Sequence, residues 1–168
     1  SKMNSLWSNL VQNLDPYVAG EQPKDKTYIK LNTNENPYPP SPLVLERLRE
    51  ACNEDLRLYP DPDATALREA IGALHGIDAA RIVCGTGSGE CLHGAVQAFA
   101  GPGDEVLFPR YSFSLYPLLA HKVGATVVLA EDTDYAPDVD KLLAAVTERT
   151  RVVLLDNPNN PVGTWLPR

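Results

Sequence analysis

The chain has 168 residues, enough for one domain with a real core. Its 43% hydrophobic and 22% charged residues fit a soluble globular protein, and its net charge of -7 argues against nucleic acid or an anionic membrane as partner. No apolar run approaches the ~18 residues of a membrane span, and the opening Ser1-Lys2-Met3-Asn4 has no apolar signal core, so a cytoplasmic location is expected.

Ser1-Lys2 ahead of Met3 reads as a tag scar. Residues 1 to 40 are rich in Asn and Pro, with a short amphipathic helix expected over Ser5–Leu14 and a short strand over Thr27–Leu31. The loop Asn32-Thr-Asn-Glu-Asn-Pro-Tyr-Pro-Pro-Ser41 follows. An arm this poor in apolar residues cannot fold alone and must lie on something else. Ser41-Pro42 starts a helix, with Ser as N-cap and Pro at the first helical position. Leu45, Leu48, Ala51, Cys52 and Leu56 continue at helical spacing. Leu58-Tyr59-Pro60-Asp61-Pro62 breaks it. A second helix is predicted over Thr65–Leu74, with Gly76 as a left-handed stop.

A regular alternation follows. Strands are expected at Arg81–Cys84, Glu105–Phe108, Ala125–Ala130 and Arg151–Leu155, and helices at Glu90–Ala100, Ser112–Val123 and Asp138–Val146. Alternation of this kind implies a parallel sheet covered on both faces, with ligands at the carboxyl ends of its strands. The loops Gly85–Gly89, Pro109–Tyr111 and Asp156–Gly163 then share one edge. Composition shifts near residue 63: lysines are more frequent before it and alanines after it. An arm joined to a packed domain explains the shift, and a chimera of two parents is the alternative. Residues 1–62 are read as arm and first helix, residues 63–168 as the first part of a larger domain.

Three cysteines, Cys52, Cys84 and Cys91, without C-x-x-C spacing suggest reduced thiols. His75, His93 and His121 are scattered, and no zinc-type motif indicates a metal site. The Gly85-Thr86-Gly87-Ser88-Gly89-Glu90 loop enters a helix, where close backbone approach and unpaired N–H groups suit a phosphate. It is not a dinucleotide fingerprint, since Glu90 stands at the third Gly, nor a Walker A loop. A plain strand-to-helix turn is the competing reading of that loop taken alone. Tyr111, at the next strand's end, can stack on a flat heteroaromatic ring, whereas Phe113 and Tyr116 read as core. In Asp156-Asn157-Pro158-Asn159-Asn160-Pro161-Val162-Gly163 each proline restricts the residue before it, so Asn157 and Asn160 are expected to be extended and able to offer an amide to a ligand.

Together these motifs, in this order over nearly all 168 residues, resemble the N-terminal part of the histidinol-phosphate aminotransferase family, fold-type I enzymes that depend on pyridoxal 5'-phosphate. The resemblance implies an α/β fold, a three-layer αβα sandwich with a mostly parallel sheet, incomplete in this chain with roughly four strands. It implies that Ser88 and Gly89 hold the cofactor phosphate through their backbone, that Tyr111 stacks on the cofactor ring and that Asn160 bonds its 3'-oxygen. Tyr59 corresponds to a tyrosine reaching the partner's cofactor phosphate across a homodimer, and Asn34 and Tyr38 lie in the substrate-covering arm. The implied reaction moves an amino group between histidinol phosphate, or an aromatic amino acid, and 2-oxoglutarate. Gly89 stands where many relatives have Asp, and Val162 where Thr is usual, so two side-chain contacts are missing. The family's Schiff-base lysine is expected beyond residue 168, leaving no catalytic residue in this chain and an inactive isolated polypeptide. Three alternatives stay open: a lyase like threonine-phosphate decarboxylase, a non-catalytic phosphate-binding α/β module, and an engineered fragment.

Overall fold

A computed structural model describes residues 6–25 and 27–167. The tag-scar residues, the expected helix start at Ser5, and Lys26 lie outside the described residues. The chain divides into two compact units, Ser1–Tyr17 with Gly85–Arg168, and Val18–Cys84.

The first unit is built on a three-stranded parallel sheet. Strand β1 (Glu105–Pro109) lies between β2 (Thr126–Ala130) and β3 (Thr150–Val153). Glu105 to Pro109 register with Thr126 to Ala130, while β3 meets β1 as Glu105–Thr150, Val106–Val152 and Leu107–Val153, with an irregularity after Glu105. All five residues of β1 are buried. Alternation sends Val106 and Phe108 to one face and Leu107 to the other.

On the first face they pack with Val96, Leu115, Tyr116, Leu119 and Ala120, from helices α4 (Gly87–Phe99) and α5 (Tyr116–Lys122) and the turn leading into α5. On the second, Leu107 and Ala130 pack with Leu142 of α6 (Val139–Ala145). Helices on both faces make three layers, the α/β architecture expected. Each fully buried Leu or Val here contributes about 2 kcal/mol of apolar burial. Helix α1 (Asn9–Gln12), capped by the Ser8 hydroxyl, lies near α5.

The second unit holds α2 (Pro42–Ala51) and α3 (Thr65–His75), with 3-10 turns at Glu54–Arg57 and Ala79–Arg81. Ser41 caps α2 as anticipated, accepting from the Val44 N–H. Gly76 ends α3 at φ 66°, donating its N–H to Gly72 O. Arg68 ties α3 to the following turn, bonding Ala79 O at 2.9 Å and Asp63 O at 2.6 Å. The apolar side chains of α2 stay open, Leu48 at 58% exposure.

Four expected elements differ. Arg81–Cys84 forms no strand: the 3-10 turn, capped by Asp78, takes Arg81, and Ile82 is extended (φ -109°, ψ 128°) without a ladder. Val83 is 83% exposed. Thr27–Leu31 is likewise no strand, and Ile29 and Leu31 face solvent. An extended segment is held as a strand only by a paired neighbour, and periodicity alone does not supply one. The expected Ser5–Leu14 helix contracts to α1, and the Ser112–Val123 helix to α5, because Phe113 O is taken by the Tyr116 N–H in a preceding turn. Conversely α4 begins at Gly87, so most of the Gly-rich loop is its first turn.

Candidate functional site

Parallel strands share the direction of their carboxyl ends, so Arg110-Tyr111, Glu131-Asp132 and Asp156–Asn160 emerge on one edge of the first unit's sheet. Helix α4 returns through the Gly101–Asp104 turn into β1, so its N-terminus faces the same edge. Gly89, in its first turn, lies beside Leu115 just past β1: a Cβ there would sit 3.8 Å from Leu115 Cδ2.

Gly87 takes φ 79°, a left-handed conformation that only glycine adopts cheaply, and so turns the chain into the helix. The Gly87 N–H donates to Gly85 O at 2.9 Å. The next two amides, of Ser88 and Gly89, belong to the helical turn that has no intrahelical acceptor. Two convergent N–H donors at the positive end of a 13-residue helix are an acceptor site for an anion.

Tyr111 is half open at 44% exposure. Its carbonyl accepts from Asn159 Nδ2 at 2.6 Å, and its N–H faces Asp132 Oδ1 at 3.5 Å. The Asp156–Leu166 loop is bonded to itself. Asn160 N–H donates to Asp156 Oδ2 at 2.6 Å, Val162 N–H to Asn159 Oδ1 at 3.0 Å, and Asn157 pairs both ways with the backbone of Leu166. Asn157-Pro158 and Asn160-Pro161 are both cis. The half-buried Asn160 side chain has no hydrogen bond among the described residues and remains available to a ligand. Asn157, the other amide singled out by its proline, is occupied by Leu166.

Two residues escaped the sequence reading. Asn159, 4% exposed, is the buried post of the loop; its one local signal is that it alone of the loop's three asparagines precedes no proline. Tyr135 sits 5.2 Å from Tyr111, ring to ring. It is carried there by a two-residue turn with Asp134 and Tyr135 at φ 51° and 62°, closed by reciprocal Thr133–Ala136 bonds and held by Thr164 Oγ1 donating to Tyr135 O at 3.0 Å.

Charges at this edge are largely committed. Arg110 grips Glu131, its Nε 2.9 Å from each carboxylate oxygen, which raises the guanidinium and holds Glu131 below the usual carboxylate range. Lys141 donates to Thr133 Oγ1 at 2.9 Å and faces Asp132 O at 3.4 Å. Away from this edge, where α5 ends, Lys122 lies 3.2 Å from His93 Nδ1, and burial, then that ammonium, lower the His93 pKa. One oxygen each of Asp132 and Asp156 is buried without a hydrogen-bond partner. No group of three His, Cys, Asp or Glu able to hold a metal occurs among the described residues.

Beneath the edge, burial and then the Asp156 carboxylate push the Tyr116 hydroxyl up to about 12. A pKa raised above the unfolded value near 10 contributes stability that is complete below pH 10 and is lost as pH climbs through 12. Urea unfolding from pH 9 to 12 should show that decline, and Tyr116→Phe should flatten it. An equally steep decline in the Phe variant would exclude Tyr116 as its source.

Asn34, Tyr38 and Tyr59 belong to the second unit and are exposed, Tyr59 completely. Ser88, Gly89, Tyr111 and Asn160 all belong to the first.

Sequence and structure comparisons place the chain among known proteins. The profile of aminotransferase class I and II matches residues 26–168. The histidinol-phosphate aminotransferases of Erythrobacter litoralis and Zymomonas mobilis are 56% and 55% identical over 160 residues, 94% of this chain and 43% of each relative. The chain thus spans less than half the length of these relatives. The crystal structure of histidinol-phosphate aminotransferase from Sinorhizobium meliloti in complex with pyridoxal-5'-phosphate superposes with a TM-score of 0.82 at 26% identity, covering 99% of this chain and 46% of that one. A Thermus thermophilus aspartate aminotransferase mutant gives 0.80 at 26% identity, over 96% of this chain and 44% of that one. The match to this profile over most of the chain, with relatives more than half identical across 94% of it, places the chain in the class I and II aminotransferase family.

Proposed function

We propose that this chain is the phosphate- and ring-holding part of a pyridoxal-phosphate-dependent aminotransferase that moves an amino group between histidinol phosphate and 2-oxoglutarate. The observation that carries the reading is the pair of uncommitted amides, Ser88 and Gly89, on the same sheet edge as Tyr111 and Asn160. The names of the Erythrobacter and Zymomonas relatives supply the amino donor.

The residues present fit the cofactor. The Ser88 and Gly89 N–H groups bind its phosphate, with the helix dipole favouring the negative charge. The Tyr111 ring covers one face of the pyridine and is braced by Tyr135. The Asn160 amide donates to the 3'-oxygen and favours its ionised form. Pyridoxal phosphate, when bound, supplies an electron sink for the carbanion left when an amino acid loses its α proton. Asn34 and Tyr38 of the arm contact substrate, and Tyr59 serves the site of a second copy in a homodimer. The 168-residue polypeptide alone is not expected to transaminate, since the family's Schiff-base lysine is expected outside it and Lys122 and Lys141 are engaged with His93 and Thr133.

The test is a titration of the chain with pyridoxamine 5'-phosphate and with pyridoxamine, which share a ring and differ only in the phosphate. Two charge-assisted bonds of about 2 kcal/mol each make a preference of about a thousandfold for the phosphate ester the expected result. Equal affinities would remove the cradle from the site. Borohydride treatment with pyridoxal phosphate, read by intact mass, should leave no stoichiometric adduct at a single lysine. Such an adduct at Lys141 would mean that the chain carries its own catalytic lysine.

A further inference from the structure

Thr86 holds the N-cap position of α4, where a threonine ordinarily turns its hydroxyl onto the second or third amide of the helix. Thr86 (φ -78°, ψ 77°) makes no such bond. Its backbone N–H instead donates to Glu90 Oε2. The bond resembles the backward half of a capping box, but it comes from N4 rather than N3, the N3 position being Gly89, and the forward half is missing. The loop is tied from behind, and the Ser88 and Gly89 amides in front keep no internal acceptor.

The tie is packed as well as bonded. A Cβ on Gly85 would lie 3.1 Å from Glu90 Oε2 and 2.9 Å from Cys91 Sγ, so the carboxylate and the thiol close directly onto the Gly85 backbone. Glu90 is therefore lodged between Gly85 and Thr86. Its charge makes the arrangement informative. A carboxylate one turn from an anion site repels the anion, so its use here is the acceptor geometry, which a neutral carbonyl oxygen would supply equally well.

We propose that Glu90 is a positioning residue for the cofactor phosphate, holding the Gly85–Gly87 turn so that the Ser88 and Gly89 amides stay open to it. This rests on the phosphate reading of the cradle given above. Glu90 touches no phosphate oxygen itself and acts through Thr86. Glu90→Ala then removes the strut, Glu90→Gln keeps the oxygen and deletes the repulsion, and Gly85→Ala evicts the carboxylate by crowding.

The experiment measures the affinity ratio between pyridoxamine 5'-phosphate and pyridoxamine in wild type, Glu90→Ala, Glu90→Gln and Gly85→Ala, with Thr86 amide exchange followed by NMR in the ligand-free chain. The expected result is a ratio about tenfold lower in Glu90→Ala and Gly85→Ala, and a ratio equal to or above wild type in Glu90→Gln. Thr86 exchange should be slow in wild type and Glu90→Gln and fast in the other two. Pyridoxamine affinity, free of the phosphate, should stay level and report an intact ring site in every variant. A wild-type ratio near one would bring down the phosphate reading and this inference with it. A strong wild-type preference that survives Glu90→Ala, or that falls equally in Glu90→Gln, would overturn the inference alone.

Discussion

Asn159→Ala is expected to lower the stability of the chain by about 2 kcal/mol, from the loss of two partly buried hydrogen bonds at about 1 kcal/mol each. The Asn159 side chain sits at the base of the Asp156–Leu166 loop and is nearly inaccessible. It donates to Tyr111 O at 2.6 Å and accepts the Val162 N–H at 3.0 Å. Alanine removes the partner of both Tyr111 O and the Val162 N–H, which belong to partly exposed residues and can turn in part to water. The Thr164 and Gly163 backbone bonds to residue 159 survive, so the loop loosens rather than unfolds. Urea unfolding followed by far-UV circular dichroism measures the difference. A loss under about 1 kcal/mol would mean that water replaces the amide and that the loop is not anchored through it. Because the same side chain spans from β1's end to the loop holding Asn160, the variant should also bind pyridoxamine more weakly, an effect on the ring site that a remote core truncation of equal cost would not produce.

Ser88→Pro should abolish most of the phosphate preference while leaving the fold close to intact. Residue 88 is the second residue of α4, where the amide makes no intrahelical bond and proline's fixed φ suits the first turn. The substitution deletes one N–H donor and little else. A charge-assisted bond contributes about 2 kcal/mol, so affinity for pyridoxamine 5'-phosphate should fall by about thirtyfold with pyridoxamine affinity unchanged. Ser88→Ala, which removes the hydroxyl and keeps the amide, should fall far less. If alanine and proline weaken binding equally, the hydroxyl and not the backbone holds the phosphate.

The local grammar of the chain was readable without coordinates. Ser41-Pro42 starts α2 and Gly76 stops α3 where their chemistry demands, because a cap hydroxyl and a left-handed glycine act within one turn of themselves. The buried run Glu105–Phe108 was legible as a strand of a parallel sheet, and its central place came from the structure. Motif order pointed to the family that the profile and the relatives bear out. Tyr111 and Asn160 were singled out because a strand end and a proline mark them, and the structure leaves the Tyr111 ring half open and the Asn160 side chain without a hydrogen bond among the described residues.

What stayed hidden depends on partners far away in the chain. Nothing near Tyr135 announces that its ring meets Tyr111 24 residues earlier, or that two consecutive residues with Cβ atoms take positive φ to bring it there. Asn159 differs locally from the loop's other two asparagines only in preceding no proline, which says nothing of its burial, and burial is a property of the packed unit. Extended segments at Thr27–Leu31 and Arg81–Cys84 carry strand-like residues yet join no ladder among the described residues. The amino-acid sequence by itself determined the start of α2, the stop of α3 and the β1 core run, because these are short-range effects of caps, sterics and periodicity. Tertiary structure decided which extended runs became strands, which asparagine became the buried post and which carboxylate backs the cradle, because each of these needs a hydrogen-bond or packing partner whose position is set only when the layers close.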